Sequence, residues 1–261
     1  MIKKYSMAME SRFHFAIRRC FFHLLASVVI AVIIAAFVYF FLYPTPYQYV
    51  LSISSIFFVL LAVDVVCGPL MTLLISNPKK SKKETILDFS LVGILQIAAL
   101  IYGLHFIWLG RPVVLAFEID RIAVITANEI EKDKLHESGI GIQSIPWHGV
   151  IKVNTRRAKN SDEMFESIDM EAAGISPGGR PGWWLPWDSA KSAMSERAKP
   201  VADLLQRRPQ DADVLKTAIK KTGFDIAQLR YLPLTSSKTT EWIVLLDTQL
   251  NIVGYAPVDG F

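Results

Sequence analysis

Hydrophobic positions along this chain follow two regimes. Over residues 24–43, 49–75 and 86–109 they run almost without interruption, the first reading Leu-Leu-Ala-Ser-Val-Val-Ile-Ala-Val-Ile-Ile-Ala-Ala-Phe-Val-Tyr-Phe-Phe-Leu-Tyr. About 20 residues at about 1.5 Å each cross a hydrocarbon core of about 30 Å, so each run predicts a transmembrane helix. A secretory signal peptide has a shorter apolar run and a small-residue cleavage site. This first run instead ends in aromatics and Pro44-Thr45-Pro46, which predicts a retained helix.

Past residue 109 the apolar positions become intermittent, and the spacing predicts a folded α+β unit with an antiparallel sheet. Arg111-Pro112 ends the third helix, and the β-prone stretch 113–126, polar at Glu118, Asp120 and Arg121, predicts two strands with a tight connection or one long bent strand. Residues 128–138 read as helical, 145–155 as holding a short strand, and 161–173 as a helix with Met164, Phe165, Ile168 and Met170 at helical spacing. Ser176-Pro-Gly-Gly-Arg-Pro-Gly182 can only be a loop. Residues 189–207 predict a helix interrupted at Pro200. A second helix opens at Pro209 with Asp211 and Asp213 in its first turn and closes with Lys220, Lys221 and Gly223, the charge order that a helix dipole favours. A strand at 229–234 and a hairpin over 240–257, turning at Asp247-Thr248-Gln249, complete the sheet.

Charge fixes an orientation. Lys3, Lys4, Arg12, Arg18 and Arg19 precede the first run, the 44–48 turn carries no cation, and Lys79, Lys80, Lys82 and Lys83 fill the second turn, so both basic stretches are expected in the cytoplasm. The organisation that follows is a basic cytoplasmic N-terminus (1–23), a three-helix transmembrane region (24–109) with a Lys-rich cytoplasmic turn (76–85), and a periplasmic α+β domain (110–261) in a bacterial inner membrane. Of the 28 Lys and Arg and 24 Asp and Glu, nine bases and four acids lie up to residue 109, net +5, leaving nineteen bases and twenty acids, net −1. The basic excess therefore reports topology and speaks against nucleic acid as a partner. Two cysteines, Cys20 and Cys67, leave the exported part without a disulfide, and five scattered histidines show no metal-ligand spacing, so neither metal nor cofactor is expected.

The candidate chemistry lies within the apolar runs. An acid at mid-bilayer costs at least about 2.5–3.5 kcal/mol, which makes Asp64 a candidate functional residue. Counted along the helices, Asp64 and Gln96 lie about 16 and 14 Å from the cytoplasmic ends, level enough to hydrogen-bond. Gly68 is one turn from Asp64 on the same face, and Pro69 deprives the Val65 carbonyl of its helical donor. Asp64, Gly68, Pro69 and Gln96 thus form a face that can dock another transmembrane helix, or one that locks the second helix to the other two. In the exported part, Trp183, Trp184 and Trp187 offer either an exposed anchor for a partner or headgroups, or a cap on the core. An aspartyl dyad of Asp64 and Asp88 would need carboxyls about 3 Å apart, whereas their depths differ by more than about 10 Å, and no other catalytic arrangement is present. A periplasmic ligand receptor acting through a partner is the competing class, since the chain has no cytoplasmic output domain of its own.

The block Asp64-Val-Val-Cys-Gly-Pro-Leu-Met-Thr-Leu-Leu, the following Asn77-Pro-Lys-Lys-Ser-Lys-Lys-Glu, the stretch Leu87-Asp-Phe-Ser-Leu-Val-Gly-Ile-Leu-Gln and then Arg111-Pro-Val-Val-Leu-Ala-Phe-Glu-Ile-Asp-Arg resemble the TfpX/TfpZ family of type IV pilin accessory proteins. The resemblance implies an inner-membrane protein that supports assembly of a pilin into type IV pili, with the pilin stem and head, the lipid bilayer and the pilus assembly machinery as partners. It implies no catalytic residue.

Overall fold

A computed structural model of the chain describes residues 2–261, with side chains from residue 13 onward. The Lys3, Lys4 and Arg12 side chains of the basic N-terminus lie outside the described residues. The chain divides into two compact units, residues 1–41 with 53–108 and residues 42–52 with 109–261.

The first unit is all-helical. Helix α1 (Ile2–Phe37) passes into a wider π-turn at Val38–Leu42. After the short helix α2 (Tyr47–Val50), which belongs to the second unit, α3 (Ile53–Ala62) runs through a π-turn at Val63–Cys67 into α4 (Gly68–Ile75), and α5 (Lys82–Leu109) closes the unit. Three stretches, Phe13–Leu42, Ile53–Ile75 and Lys82–Leu109, are long and apolar enough to cross a membrane. Their outward faces are apolar, with Ile33 64 % and Leu74 71 % exposed, the reverse of a water-soluble bundle. The third helix begins four residues ahead of its apolar run because Ser81 and Glu84 cap it reciprocally, each side chain accepting from the other's backbone N–H. Close approach between helices is local: a Cβ on Gly103 would meet Leu60 Cδ1 at 2.3 Å.

The second unit is built on an eight-stranded sheet. Strands β1 (Pro112–Glu118) and β2 (Arg121–Thr126) form the expected hairpin, and β3 (Ile151–Thr155) follows a 3-10 turn at Lys132–Glu137 where the sequence predicts a helix. Helix α6 (Ser161–Ala172), capped by Asn160, leads through the glycine loop to β4 (Trp184–Pro186). The helix is interrupted at Pro200, as its sequence predicts: α7 (Lys191–Arg197) ends, Lys199–Pro200 form the short strand β5, and α8 (Val201–Arg207) starts anew. Helix α9 (Ala212–Thr222) ends at Gly223, whose φ of +75° closes it in the left-handed conformation that a side chain resists. Strands β6 (Arg230–Thr235), β7 (Trp242–Leu246) and β8 (Ile252–Ala256) finish the chain as expected.

The strand order is β4-β3-β1-β2-β6-β7-β8, with β5 beside β6. The sheet is mixed, which corrects the antiparallel sheet expected from the sequence: β1 runs parallel to β3, and β2 parallel to β6. Both terminal hairpins are antiparallel, as short connections require. The parallel seams form where β3 and β6 return after long helical connections, and apolar spacing marks a strand without naming its neighbour. β1 is buried along nearly its whole length, as a central strand covered on both faces should be. One apolar cluster gathers Val114, Ala116, Ile125, Val153 and Trp184, and a second gathers Leu204, Leu215, Tyr231, Ile243 and Leu245.

Segment 42–52, of which the sequence reads 44–48 as a turn and the remainder as the ends of two apolar runs, is part of this sheet unit. Tyr43 and Val50 are buried, Ser236 Oγ donates to the Val50 carbonyl at 2.8 Å, and the Tyr49 ring stacks on Trp242 with centroids 6.1 Å apart. Tyr47 donates to Tyr255, and burial raises the pKa of both phenols. Its aromatic composition is explained by packing against β7 and β8.

Candidate partner-binding site in the apolar helices

Asp64 sits in the π-turn between α3 and α4, and Pro69 accounts for the local geometry. In the wider register the Asp64 carbonyl would look to the N–H of residue 69, and a proline has none. Gln96 Nε2 supplies the missing donor at 3.2 Å. The sequence places the freed acceptor at Val65 and pairs Gln96 with the Asp64 carboxyl. The π-turn moves that acceptor back to Asp64, and the glutamine is spent on backbone.

Gly68 makes this contact possible, since a Cβ there would lie 2.0 Å from Gln96 Nε2. Gly68 and Pro69 are buried among the helices of their own unit. Gly68 and Gln96 thus meet where the second helix passes the third, at an acceptor that Pro69 leaves without a helical donor.

Asp64 stands apart. The residue is half-buried, and its Oδ1 is buried with no hydrogen-bond partner among the described residues. The carboxyl lines a cavity of about 220 Å³ between the helices, whose other polar members are His23, Ser27 and Gln96 and whose walls include Ile30, Phe57, Leu60 and Leu100. His23 Nδ1 is hydrogen-bonded to Thr72 Oγ1. Ser76 Oγ in turn donates to the Thr72 carbonyl at 2.7 Å. Gly93 lines the same cavity with nothing within 4 Å of where its Cβ would be, so α5 leaves the hollow open there.

The tryptophan cluster serves mainly the interior. Trp184 is 1 % exposed and its Nε1 donates to the Gly178 carbonyl at 2.8 Å, so of the two alternatives the sequence leaves for this residue its burial matches the core cap and not the exposed anchor. Trp183 is half-buried beneath two guanidinium groups, Arg156 at 4.5 Å and Arg180 at 4.8 Å from its ring centroid, and Trp187 is half-buried with Lys152 over it at 6.0 Å. Indole area hidden under cations and core atoms leaves little for a partner. The exposed indole is Trp147, at 78 %. It lies in an irregular loop with no periodicity to single it out.

The glycine loop also holds an acid. Glu118, at the end of β1, accepts from Ser176 Oγ at 2.8 Å and from the Gly178 N–H at 2.7 Å. Burial pushes its pKa above the usual carboxylate range against the opposing pull of those two bonds. Gly178 is packed so closely onto the sheet that a Cβ would lie 2.5 Å from that of Ala116. A further hollow of the sheet unit is a groove of about 740 Å³ lined by Pro46, Tyr49, Val214, Trp242, Tyr255 and Pro257 among others. The sequence gives no signal for it, because its walls come from four separated stretches.

Comparison with known proteins places the chain. The family model for the fimbrial assembly protein FimB matches residues 11–52. Fimbrial assembly proteins of Dichelobacter nodosus are similar over nearly the whole length: that of serogroup I is 34% identical over 253 residues, covering 97% of this chain and 98% of the relative. That of serogroup E1 is 35% identical over 254 residues with the same coverage. That of serogroups C1 and C2 is 40% identical over 129 residues, 49% of this chain and 98% of the relative. No solved structure matches the chain. On the strength of the two full-length relatives, the chain belongs to the fimbrial assembly protein family.

Proposed function

We propose that this protein is an inner-membrane accessory protein of type IV pilus assembly, and that its helical unit receives the transmembrane stem of a pilin at the Asp64 cavity. The observation that carries the proposal is the Asp64 Oδ1, without a hydrogen-bond partner among the described residues, in a hollow walled mostly by apolar side chains. Two neighbouring polar groups are already engaged, Gln96 with the Asp64 carbonyl and His23 with Thr72. A partner helix presenting a hydroxyl, amide or ammonium donor would complete the acid's hydrogen bonding and cover the apolar rim in one step. The names borne by the relatives supply the process, fimbrial assembly. The basic ends of the helices supply the orientation, with the sheet unit exported toward the pilin head.

Catalysis forms no part of the proposal. Asp88, the other acid an aspartyl dyad would need, is ion-paired with Lys80.

The test uses residues that the packing leaves free. Met71 and Leu70 are exposed on α4. A photo-crosslinking amino acid at Met71, in cells making the cognate pilin, is expected to capture that pilin, whereas one at Ile119 in the sheet unit should not capture the stem. Asp64→Leu is expected to reduce crosslinking and surface pili together while the chain remains at normal abundance. Capture unaffected by Asp64→Leu would remove the acid from recognition, and normal pili in cells lacking the chain would end the proposal.

A further inference from the structure

A second hollow in the helical unit lies at the basic end of its helices, about 310 Å³ in volume, and it has the composition of a headgroup site. Phe15 and Arg19 of α1, Pro78 and Lys80 of the turn, and Lys82 and Ile86 of α5 line it. Arg19 is half-buried and held between α1 and α5, its guanidinium 4.6 Å from the Phe15 ring centroid and 5.1 Å from that of Phe89. That hold directs a planar cation while leaving its N–H fork unspent, since no carboxylate pairs with Arg19 among the described residues.

The acids nearby are already engaged. Asp88 pairs with Lys80, and Glu84 accepts from the Ser81 backbone N–H. Of the three cations lining the hollow, Arg19 and Lys82 are left without a carboxylate partner among the described residues. Beside the hollow the helices turn outward with apolar side chains, Ile17, Phe22, Ile86 and Leu87 all being exposed. Two unmatched cations over a floor of Phe15, Pro78 and Ile86, flanked by bare hydrocarbon, match a phosphodiester carrying acyl chains.

We infer that this hollow binds one anionic phospholipid, its phosphate between Arg19 and Lys82 and its chains along the exposed flank of α1 and α5. A zwitterionic ethanolamine lipid would bring an ammonium into a site that already has two spare positive charges, so the site selects for net negative headgroups. The inference rests on the reading that the three helices cross a membrane.

The full-length chain, purified in detergent and stripped of lipid, is titrated with phosphatidylglycerol, with phosphatidylethanolamine and with inorganic phosphate, and bound lipid is counted by native mass spectrometry. One phosphatidylglycerol is expected to bind roughly tenfold or more tightly than phosphatidylethanolamine. Arg19→Gln and Lys82→Gln, singly and together, should erase that preference, while Lys79→Gln and Lys83→Gln outside the hollow should leave it. Lys82 is exposed, so its variant tests the site without disturbing packing. Equal affinity for the two lipids, or equal losses from the outer lysines, would overturn the inference. So would stoichiometric binding of inorganic phosphate, which would make this a soluble-anion site. Alkaline carbonate washing of native membranes separates the two readings: a chain that is washed off does not span, whereas one that stays but shows no lipid preference lacks only this site.

Discussion

Two acids are drawn into this protein, Glu118 in the sheet unit and Asp64 in the helical unit, and their surroundings differ in one respect. Glu118 is met by a hydroxyl and a backbone N–H contributed by the loop it anchors. Asp64 has a buried oxygen that no described group meets, although Gln96 is close enough to bond the same residue's backbone. A carboxylate retained for architecture has its acceptors filled from within. One left unfilled is the feature on which the proposed docking of a partner helix rests.

Replacing each acid with leucine is the harshest way to break that comparison. Glu118→Leu strands the Ser176 hydroxyl and the Gly178 N–H against the sheet, and thermal unfolding of the full chain in detergent should show a loss of roughly 2–4 kcal/mol. Limited proteolysis should then cut within 174–182. Gln96→Leu comes next: it leaves the Asp64 carbonyl without a donor in the π-turn and should cost about 1 kcal/mol, read as faster amide exchange around 63–67. Asp64→Leu should cost less than either, changing stability by under about 1 kcal/mol, because the Asp64 carboxyl oxygen Oδ1 has no hydrogen bond among the described residues to lose. An Asp64→Leu chain as unstable as the Glu118→Leu chain would make the two acids equivalent and return Asp64 to a purely structural role.

What could be read from the sequence depended on how local its cause is. The three apolar runs, the dipole-matched helix ending at Gly223 and the closing hairpin are each specified by consecutive residues, and they stand as expected. The mixed sheet was not legible, because β1 and β2 take their parallel partners from strands 33 and 108 residues away, Ile151 from Glu118 and Leu234 from Thr126, and neither separation leaves a mark in local spacing. The site was half legible. Asp64, Gln96 and Pro69 could be singled out because polar or helix-breaking residues are conspicuous in an apolar run. The π-turn that decides which acceptor Gln96 reaches depends on how the helix accommodates the proline in place. Trp183, Trp184 and Trp187 stayed ambiguous for a related reason: three indoles in five residues stand out in sequence as either an anchor or a core cap, but the loop geometry that puts Trp184 against Gly178 is not written in their spacing.

The smallest and most selective test sharpens the Glu118 side alone. Glu118→Gln keeps an oxygen that can accept from Ser176 and Gly178 while removing the titration. Because burial raises the folded-state pKa above the ordinary 4.5, the folded chain keeps a proton that the unfolded chain releases as pH climbs past 4.5. Stability therefore falls as pH rises through the window between 4.5 and the folded value, and becomes flat with respect to this group above it. Glu163 works in the opposite sense on the acid side. Its bond from Arg156 holds its pKa down to about 2, so its contribution is complete above 4.5 and is lost as pH falls toward 2. The two windows do not overlap. From pH 4.5 upward, Glu118→Gln should lose less stability than the native chain in parallel thermal-unfolding series, and below 4.5 the two should decline together. Parallel curves across the whole range would mean that Glu118 enters the fold with an ordinary pKa, and its hydrogen bonds to the glycine loop would then fully offset the burial of its charge.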